Sequence, residues 1–423
     1  MGTWSIIAAT AVVTYTLSLI IRALTSHEKK IQHEIQHQYP VGDEQFLRSV
    51  QHLLPPQFTT GNKVDRLVNG DQIFPAMLDA IRGAQRTIVF ETFIYWQGDI
   101  GRRFVDALGE RAQAGVKVHV LLDWLGSKRM DQQSIERLKG CGAQVERYHP
   151  LHWYNLRRAN HRTHRKLLVI DGRIGFTGGV GIADEWMGDA QDPQHWRDTH
   201  FRVEGPAVAQ MQAAFMDNWL KTHQRVLHGP DYFPKLEPAG SCTAQMFMSS
   251  PEEGSESARL MFLMSIACVA KSLRIASAYF VPDDLSVQEL VNARKRGARV
   301  QIVVPGEHID AHVVRRASRA RWGPLLEAGI EIYEYQPTMF HCKVLIADEQ
   351  WTSVGSANFD TRSFRLNDEA NLNIYDVEFA ERQAELFEAD LKRAHRVTLE
   401  EWQNRPWMEK LMEHAAALLR AQL

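Results

Sequence analysis

The chain has 423 residues and a formal net charge of −2, with 44% hydrophobic and 24% charged residues. That length and composition suit two domains with sizeable cores, and the balanced charge excludes a polycation that binds nucleic acid by electrostatics alone. Four scattered cysteines, Cys141, Cys242, Cys268 and Cys342, form no CxxC pair and no dense framework, which argues for reduced thiols rather than a disulfide scaffold.

From Trp4 to Ile21 the sequence carries no charge, over about the length that spans a bilayer's hydrocarbon core. No Lys or Arg precedes the run and no A-x-A site closely follows it, so residues 4–24 read as a retained transmembrane anchor rather than a signal peptide. Arg22, Lys29 and Lys30 lie on its C-terminal side, which by the positive-inside rule puts the bulk of the chain in the cytoplasm. Residues 25–60 are polar, rich in Gln and His, and contain Pro55-Pro56; they read as a linker.

Order sets in over residues 61–235. Alternation around Asn69-Gly70 predicts a hairpin turn, followed by a helix from Pro75 to Ala84. "RTIVFETFIYW" predicts a strand buried on both faces. A helix over residues 100–114 and the strand "GVKVHVLLDW" come next. Residues 236–396 repeat this order, and "AGVKVHVLLD" and "RGARVQIVVP" are recognisably one unit. Strands alternating with helices predict an α/β fold with a mixed sheet in each half. The seam falls in the Pro- and Gly-rich stretch 229–240. Residues 397–423 predict a helical extension whose Trp402, Trp407, Leu411, Leu418 and Leu419 pack onto the body in preference to lying on a membrane surface.

The duplication is sharpest at "HRKLLVID" (His164 to Asp171) and "HCKVLIAD" (His341 to Asp348). Both read His-x-Lys-x-x-x-x-Asp. After a gap of six residues comes Gly178-Gly179 in the first copy and Gly355-Ser356-Ala357-Asn358 in the second. Two chance matches with the same glycine spacing are improbable at ordinary residue usage. The pattern predicts one active site built from two similar halves.

Side chains alternate along a strand, so His164 and Lys166 share one face, as do His341 and Lys343. Asp171 and Asp348 fall on the opposite parity at the strand end, and Asp171-Gly172 is a tight-turn pair; a framework role suits these two members of the catalytic motif. Two imidazoles and two ammoniums facing one cleft match a phosphodiester. Lysines neutralise its non-bridging oxygens, one His attacks phosphorus and the other protonates the leaving alcohol. Small residues Gly178, Gly179 and Gly355 let backbone N–H groups approach the phosphate, and Ser356 and Asn358 add donors. A nucleophilic His needs an acid to hold its other N–H, and Asp198 and Glu369 are the candidates. A zinc set of His152, His161, His164 and Cys342 matches no common spacing, and adjacent lysines repel a cation, so no metal is expected. Arg157, Arg158, Arg162 and Arg165 crowd the approach to the first motif, either as a solvated basic loop or as an anion-reading rim for lipid head groups.

At these residues the chain resembles the phospholipase D superfamily, defined by paired HxKxxxxD motifs. "FTGG", "WRDTHFRVEGPAV", "SAYFVPD" and the long block from His341 to Asp376 make it similar to the bacterial cardiolipin synthases. The resemblance runs from about residue 61 to about residue 395. It implies two phospholipase D-like α-β-α sandwich halves sharing one active site, and a ping-pong transfer that needs no cofactor. His164 would be the nucleophile and His341 the general acid and then base. Lys166, Lys343, Ser356 and Asn358 would hold the phosphate. Glu369 would support His164, and Asp198 would support His341, each from the other half. The implied substrate is phosphatidylglycerol in a bacterial inner membrane, two molecules giving cardiolipin and glycerol, with no nucleic-acid partner. One departure stands out: Gly181 occupies the place of Asn358 in the first half. A hydrolytic phospholipase D, transfer to another acceptor, a nucleic-acid phosphodiesterase and a non-enzymatic scaffold are the rival readings. Spacing does not encode the acceptor or the oligomeric state.

Overall fold

The computed structural model describes residues 35–150, 160–223, 225–250 and 256–422, with residues 2–5, 7, 10, 11, 13–15 and 18. The anchor expected over residues 4–24 lies largely outside that set, as do residues 25–34 of the expected linker. Among the described residues no helix is long and apolar enough to cross a membrane. The rest of the expected linker is folded. Asp43 caps helix α1 (Glu44–Leu53) by accepting from Gln45 N. Phe46, Val50 and Leu54, spaced four apart on one face, are buried in the core of the second half. Phe46 meets Trp351 edge to face at 5.1 Å. Scattered among polar residues, these few apolar side chains give too sparse a pattern to stand out as a docking helix.

The first half runs β1 (Thr59–Val68), α2 (Asn69–Gly83), β2 (Thr87–Thr92), α3 (Asp99–Gln113), β3 (Lys117–Asp123), α4 (Gln132–Gly140) and β4 (Gln144–Tyr148). It continues through β5 (Arg162–Thr163), β6 (Leu167–Ile170), β7 (Ile174–Gly178), β8 (Thr199–Glu204) and α5 (Ala207–Thr222). The second half runs β9 (Cys242–Ser249), α6 (Ser257–Ala267), β10 (Ser272–Ser277), β11 (Phe280–Val281), α7 (Asp284–Lys295), β12 (Arg299–Pro305), α8 (His312–Arg319) and α9 (Trp322–Glu327). After these come β13 (Glu331–Tyr335), β14 (Lys343–Ala347), β15 (Trp351–Gly355), β16 (Phe359–Asp360), α10 (Thr361–Arg365), β17 (Asn367–Tyr375), α11 (Val377–Leu391) and β18 (Ala394–Val397). The extension carries α12 (Leu399–Gln403) and α13 (Trp407–Ala417).

The sheet order is β18-β13-β12-β10-β14-β15-β17-β9-β1-β8-β7-β6-β2-β3-β4. Instead of one sheet per half, the two halves share a continuous sheet, because β1 of the first pairs antiparallel with β9 of the second. Strands β2, β3 and β4 are parallel, as are β10, β12 and β13; β2 is buried throughout and β3 and β12 beyond their first residue, and strands covered on both faces tend to be parallel. Helices α5 and α11 cover one face of the shared centre, and their Phe215, Trp219, Phe379 and Phe387 join strand residues of both halves in one core. Helices α2, α3 and α4 cover the other face of the first half. Helices α1, α6, α7 and α9 do so for the second.

Asn69-Gly70 is not a hairpin turn. Asn69 takes φ +56° at the corner from β1 into α2, and its Oδ1 accepts from Asp198 N at 3.2 Å. Asn tolerates the left-handed region and can bond to nearby backbone, so the same dipeptide serves a strand-to-helix corner. A Cβ on Gly70 would stand 2.0 Å from Trp186 O.

Candidate active site

Each motif forms the first strand of a tight hairpin, β6-β7 and β14-β15. Asp171 and Gly172 have φ +53° and +62°, and Asp348 and Glu349 have φ +52° and +54°; both central residues are left-handed, the geometry that matches strand twist in a two-residue turn. Asp171 accepts from Gln85 N, Arg86 N and Thr87 N at 2.7–2.9 Å. Asp348 accepts from Ala270 N, Lys271 N and Ser272 N over the same range. The two aspartates therefore tie the hairpin to the start of β2 or β10. Five residues of chain, about 17 Å at strand rise, separate Asp171 from Lys166. The structure does not group the two aspartates with the reacting residues, as motif membership invites: they anchor the framework at the far end of the strand.

The histidines meet their acids across the two halves. β5 pairs in parallel with the start of β17, Arg162 opposite Asn367 and Thr163 opposite Asp368, and His164 N donates to Asp368 O. One residue further on, His164 Nδ1 lies 3.0 Å from both oxygens of Glu369. The mirror arrangement holds in the second motif. A parallel bridge joins Arg197 to Phe340, and His341 N donates to Arg197 O. His341 Nδ1 then lies 2.7 Å from Asp198 Oδ2. In each pair Nδ1 faces the carboxylate, which leaves Nε2 as the nitrogen available for reaction. Phe93 packs edge-on against His164 at 5.3 Å, and Trp186 against His341 at 5.1 Å. Lys166 and Lys343 donate back to the carbonyls of His164 and His341.

The small residues serve close packing as well as access. A Cβ on Gly179 would stand 2.3 Å from Asp198 Oδ1, and one on Gly355 2.4 Å from Ala370 O. Gly178, at φ +154°, lies against His200 Nδ1 and Thr199 O. Ser356, the counterpart of Gly179, donates its Oγ to Glu369 Oε2. The first half has no hydroxyl there, and Trp186 Nε1 supplies the equivalent bond to Asp198 Oδ2 at 2.9 Å. Spacing gave no sign of Trp186; the clue was the missing serine at Gly179. Gly181 is wedged against Ile94 and Trp186, a Cβ there standing 2.6 Å from Ile94 Cβ, so a side chain like that of Asn358 does not fit. Asn358 Oδ1 is buried without a hydrogen-bond partner.

Burial sets the charge states. It draws His164 down to about 4, with Glu369 opposing and Lys166 adding, and His341 down to about 3, with Lys343 adding and Asp198 opposing. Burial also brings Lys166 down to about 7 and lowers Lys343. Burial pushes Glu369 up, but His164, Lys166 and Ser356 outweigh it and hold the carboxylate at about 2. Asp198 is likewise raised by burial and lowered more by His341 and Lys343. Both imidazoles are neutral at physiological pH, each beside an ionised acid.

Arg165 is not a rim residue. It is fully buried, donating to Ala214 O at 2.7 Å, Asp217 Oδ2 at 2.9 Å, and Glu369 O and Ser249 O at 3.3 Å. It occupies the strand face opposite His164 and Lys166, the alternation that also buries Cys342 in the shared core. Arg162 is buried too, donating to His149 O, with its guanidinium 3.8 Å from Asp123. Arg157, Arg158 and His152 lie outside the described residues. A buried bond that sequence reading missed is Arg197 to Asp390 on α11, at 2.8 and 2.9 Å, which fixes the backbone beside Asp198.

Two imidazoles with carboxylates on their Nδ1 atoms, and two lysines on the same faces, form one centre suited to a phosphodiester, as in the phospholipase D class. Comparisons with known proteins agree. The family described as "Cardiolipin synthase, PLD-like domain" matches residues 77–219 and 264–391, and the chain belongs to it. The chain is 35% identical over 366 residues to the major cardiolipin synthase ClsA of Bacillus subtilis, covering 86% of this chain and 76% of that protein. It is 34% identical over 359 residues to cardiolipin synthase A of Pseudomonas fluorescens, covering 85% and 74%. In fold it is similar to the crystal structure of phosphatidylserine synthase from Haemophilus influenzae, with TM-score 0.69 and 16% identity over 90% of this chain and all of that one.

Proposed function

We propose that this protein makes cardiolipin from two molecules of phosphatidylglycerol. His164 Nε2 attacks the phosphorus of the first, and the bond to the head-group glycerol breaks. His341, which takes up a proton from solvent on Nε2 when the phosphodiester binds, gives that proton to the departing glycerol oxygen. The glycerol hydroxyl of a second phosphatidylglycerol then loses its proton to neutral His341 and attacks the phosphatidyl-histidine. The P–N bond breaks, and neutral His164 returns. Glu369 stabilises the positive charge that forms on the His164 ring, and Asp198 does so for His341. In the empty cleft the two ammoniums disfavour a proton on His341. A phosphodiester between Lys166 and Lys343 offsets that field, so substrate binding itself raises His341 toward its role as acid.

The observation that carries this reading is the crossed pair of histidine–acid contacts, joined to family membership in which the curated relatives are cardiolipin synthases. An uncharged N-terminal stretch at residues 4–21 supports a single-pass anchor and action at a bacterial inner membrane. The test is product analysis by mass spectrometry on phosphatidylglycerol vesicles. Wild type is expected to yield cardiolipin and equimolar glycerol, and His164→Ala neither. Phosphatidic acid as the only product would replace synthesis by hydrolysis.

A further inference from the structure

Helix α13 is amphipathic in the wrong sense for a helix that simply covers a core. Its buried side holds Glu413, paired with Arg405 at 2.7 Å and Arg319 at 3.1 Å, and Ala416, packed with Val314 and Ala317 of α8. Its outward side carries Trp407 at 71% exposure, Met408, Leu411 and Met412, and the following turn adds Leu418 at 84% and Leu419. At 100° per residue these six fall within an arc of about 140°, a continuous apolar stripe. The expectation that Trp407, Leu411, Leu418 and Leu419 pack onto the body is thereby overturned; of the residues named for that role, Trp402 alone joins the core. Water-facing stripes of this kind on a helix with a paired, charged inner face mark an interaction surface.

We infer that α13 is an interfacial docking helix that lies in the surface of an anionic phospholipid bilayer. This rests on the lipid substrate proposed above. Three observations favour a bilayer as the occupant. The stripe pairs Trp with long aliphatic side chains, the composition of helices that lie at the acyl boundary. Lys410 and His414 flank it by helical position, and α8, packed against α13 through Val314 and Ala317, exposes Arg316, giving basic groups suited to lipid phosphates; Glu409 lies on the opposite edge. The turn that follows the stripe also bonds to α10. Arg362 of α10 donates to Gln422 O at 3.2 Å and to Asn160 Oδ1 at 3.0 Å, and Asn160 donates to Gln422 Oε1 at 2.7 Å. Helix α10 begins three residues after Asn358, beyond β16. A bilayer holding α13 therefore meets the mouth of the site, and a lipid head group reaches the lysines without leaving the surface.

The test uses the full chain with Cys141→Ser, since the other native thiols, Cys242, Cys268 and Cys342, are buried. A polarity-sensitive fluorophore is attached at Leu411→Cys or, as the opposite-edge control, at Glu409→Cys. The protein is reconstituted into phosphatidylglycerol vesicles with brominated acyl chains. Emission from position 411 is expected to shift to the blue and to be quenched at least twofold, with position 409 unquenched. Equal quenching at both positions would overturn the inference. So would a blue shift at 411 that needs no lipid and grows with protein concentration, which would make the occupant a second copy. In parallel, Leu411→Glu with Leu418→Glu is expected to lower turnover of vesicle phosphatidylglycerol at least fivefold and to leave turnover of a soluble short-chain phosphatidylglycerol unchanged. Equal loss on both would contradict docking. Absence of any cardiolipin from the wild type would sink the proposed function while leaving the quenching result to judge α13.

Discussion

At the scale of residues, the account turns on which groups hold charge before substrate arrives. His164 must be neutral to attack, so kcat/KM for the free enzyme rises as pH rises through about 4. Lys166 must be charged to bind phosphate, so kcat/KM falls as pH rises through about 7. His341 must hold a proton to act as acid, and in the free enzyme it loses that proton as pH rises through about 3, so this requirement already lowers kcat/KM from there and the alkaline limb near 7 appears as a further steepening. Lys166→Arg, whose charge does not titrate in this range, is expected to lower the rate and move the alkaline limb upward by more than one unit; a limb that stays in place would assign it to another group. Glu369→Gln is expected to cut kcat by about 10²- to 10⁴-fold, because the amide can stabilise neither the ring's orientation nor its developing charge. Much of this site was legible in the sequence. His164, Lys166, His341 and Lys343 follow from strand parity, and Asp198 and Glu369 follow from their similar distances downstream. Arg165 was misjudged because a run of arginines looks alike in sequence, whereas parity turns this one into the core. Trp186 was missed because its bond to Asp198 depends on where a loop folds back, which no local period reports.

At the scale of elements, the hairpins and their aspartates carry the placement of the motif. Asp171→Ala removes the acceptor for three backbone N–H groups at the start of β2 and is expected to destabilise by about 2 kcal/mol, read as a lower urea midpoint. Its effect on kcat for the protein that remains folded should be small, since Asp171 is far from phosphorus; a loss as deep as that of Glu369→Gln would return it to the chemistry. The two turns also differ usefully. Gly172 takes its left-handed conformation without strain, whereas Glu349 pays a side-chain clash in the same conformation. Glu349→Gly is expected to stabilise by about 1 kcal/mol, reduced by whatever the 3.0 Å pair with Arg274 contributes. Strand and helix order was readable because β2, β3 and β12 are rich in β-branched residues between Gly and Pro signals. Asn69-Gly70 and α1 were not, the first because one dipeptide serves two kinds of corner, the second because a few buried side chains carry the whole element.

At the scale of the molecule, the duplication has become a single sheet and a single cleft. Each half presents its histidine to the other half's acid, so neither motif is complete alone. The shared core beneath β17, β9, β1 and β8 joins residues of both halves, and one cooperative unfolding transition is expected, with fluorescence and circular dichroism coincident; two separate transitions would show the halves to be independent. The chain enters at the opposite end from the cleft. Val41 N bonds to Cys268 O just before β10, while Lys343 pairs with Ser277 at that strand's other end. The central claim is that one histidine bonds to phosphorus while the other moves protons. Its most direct measurement is to mix the enzyme with phosphatidylglycerol, quench at neutral pH within a turnover, and map the adduct by peptide mass spectrometry. A phosphatidyl group on the peptide containing His164, and none on that containing His341, is the predicted result; the adduct on His341, or no adduct during active turnover, would contradict it.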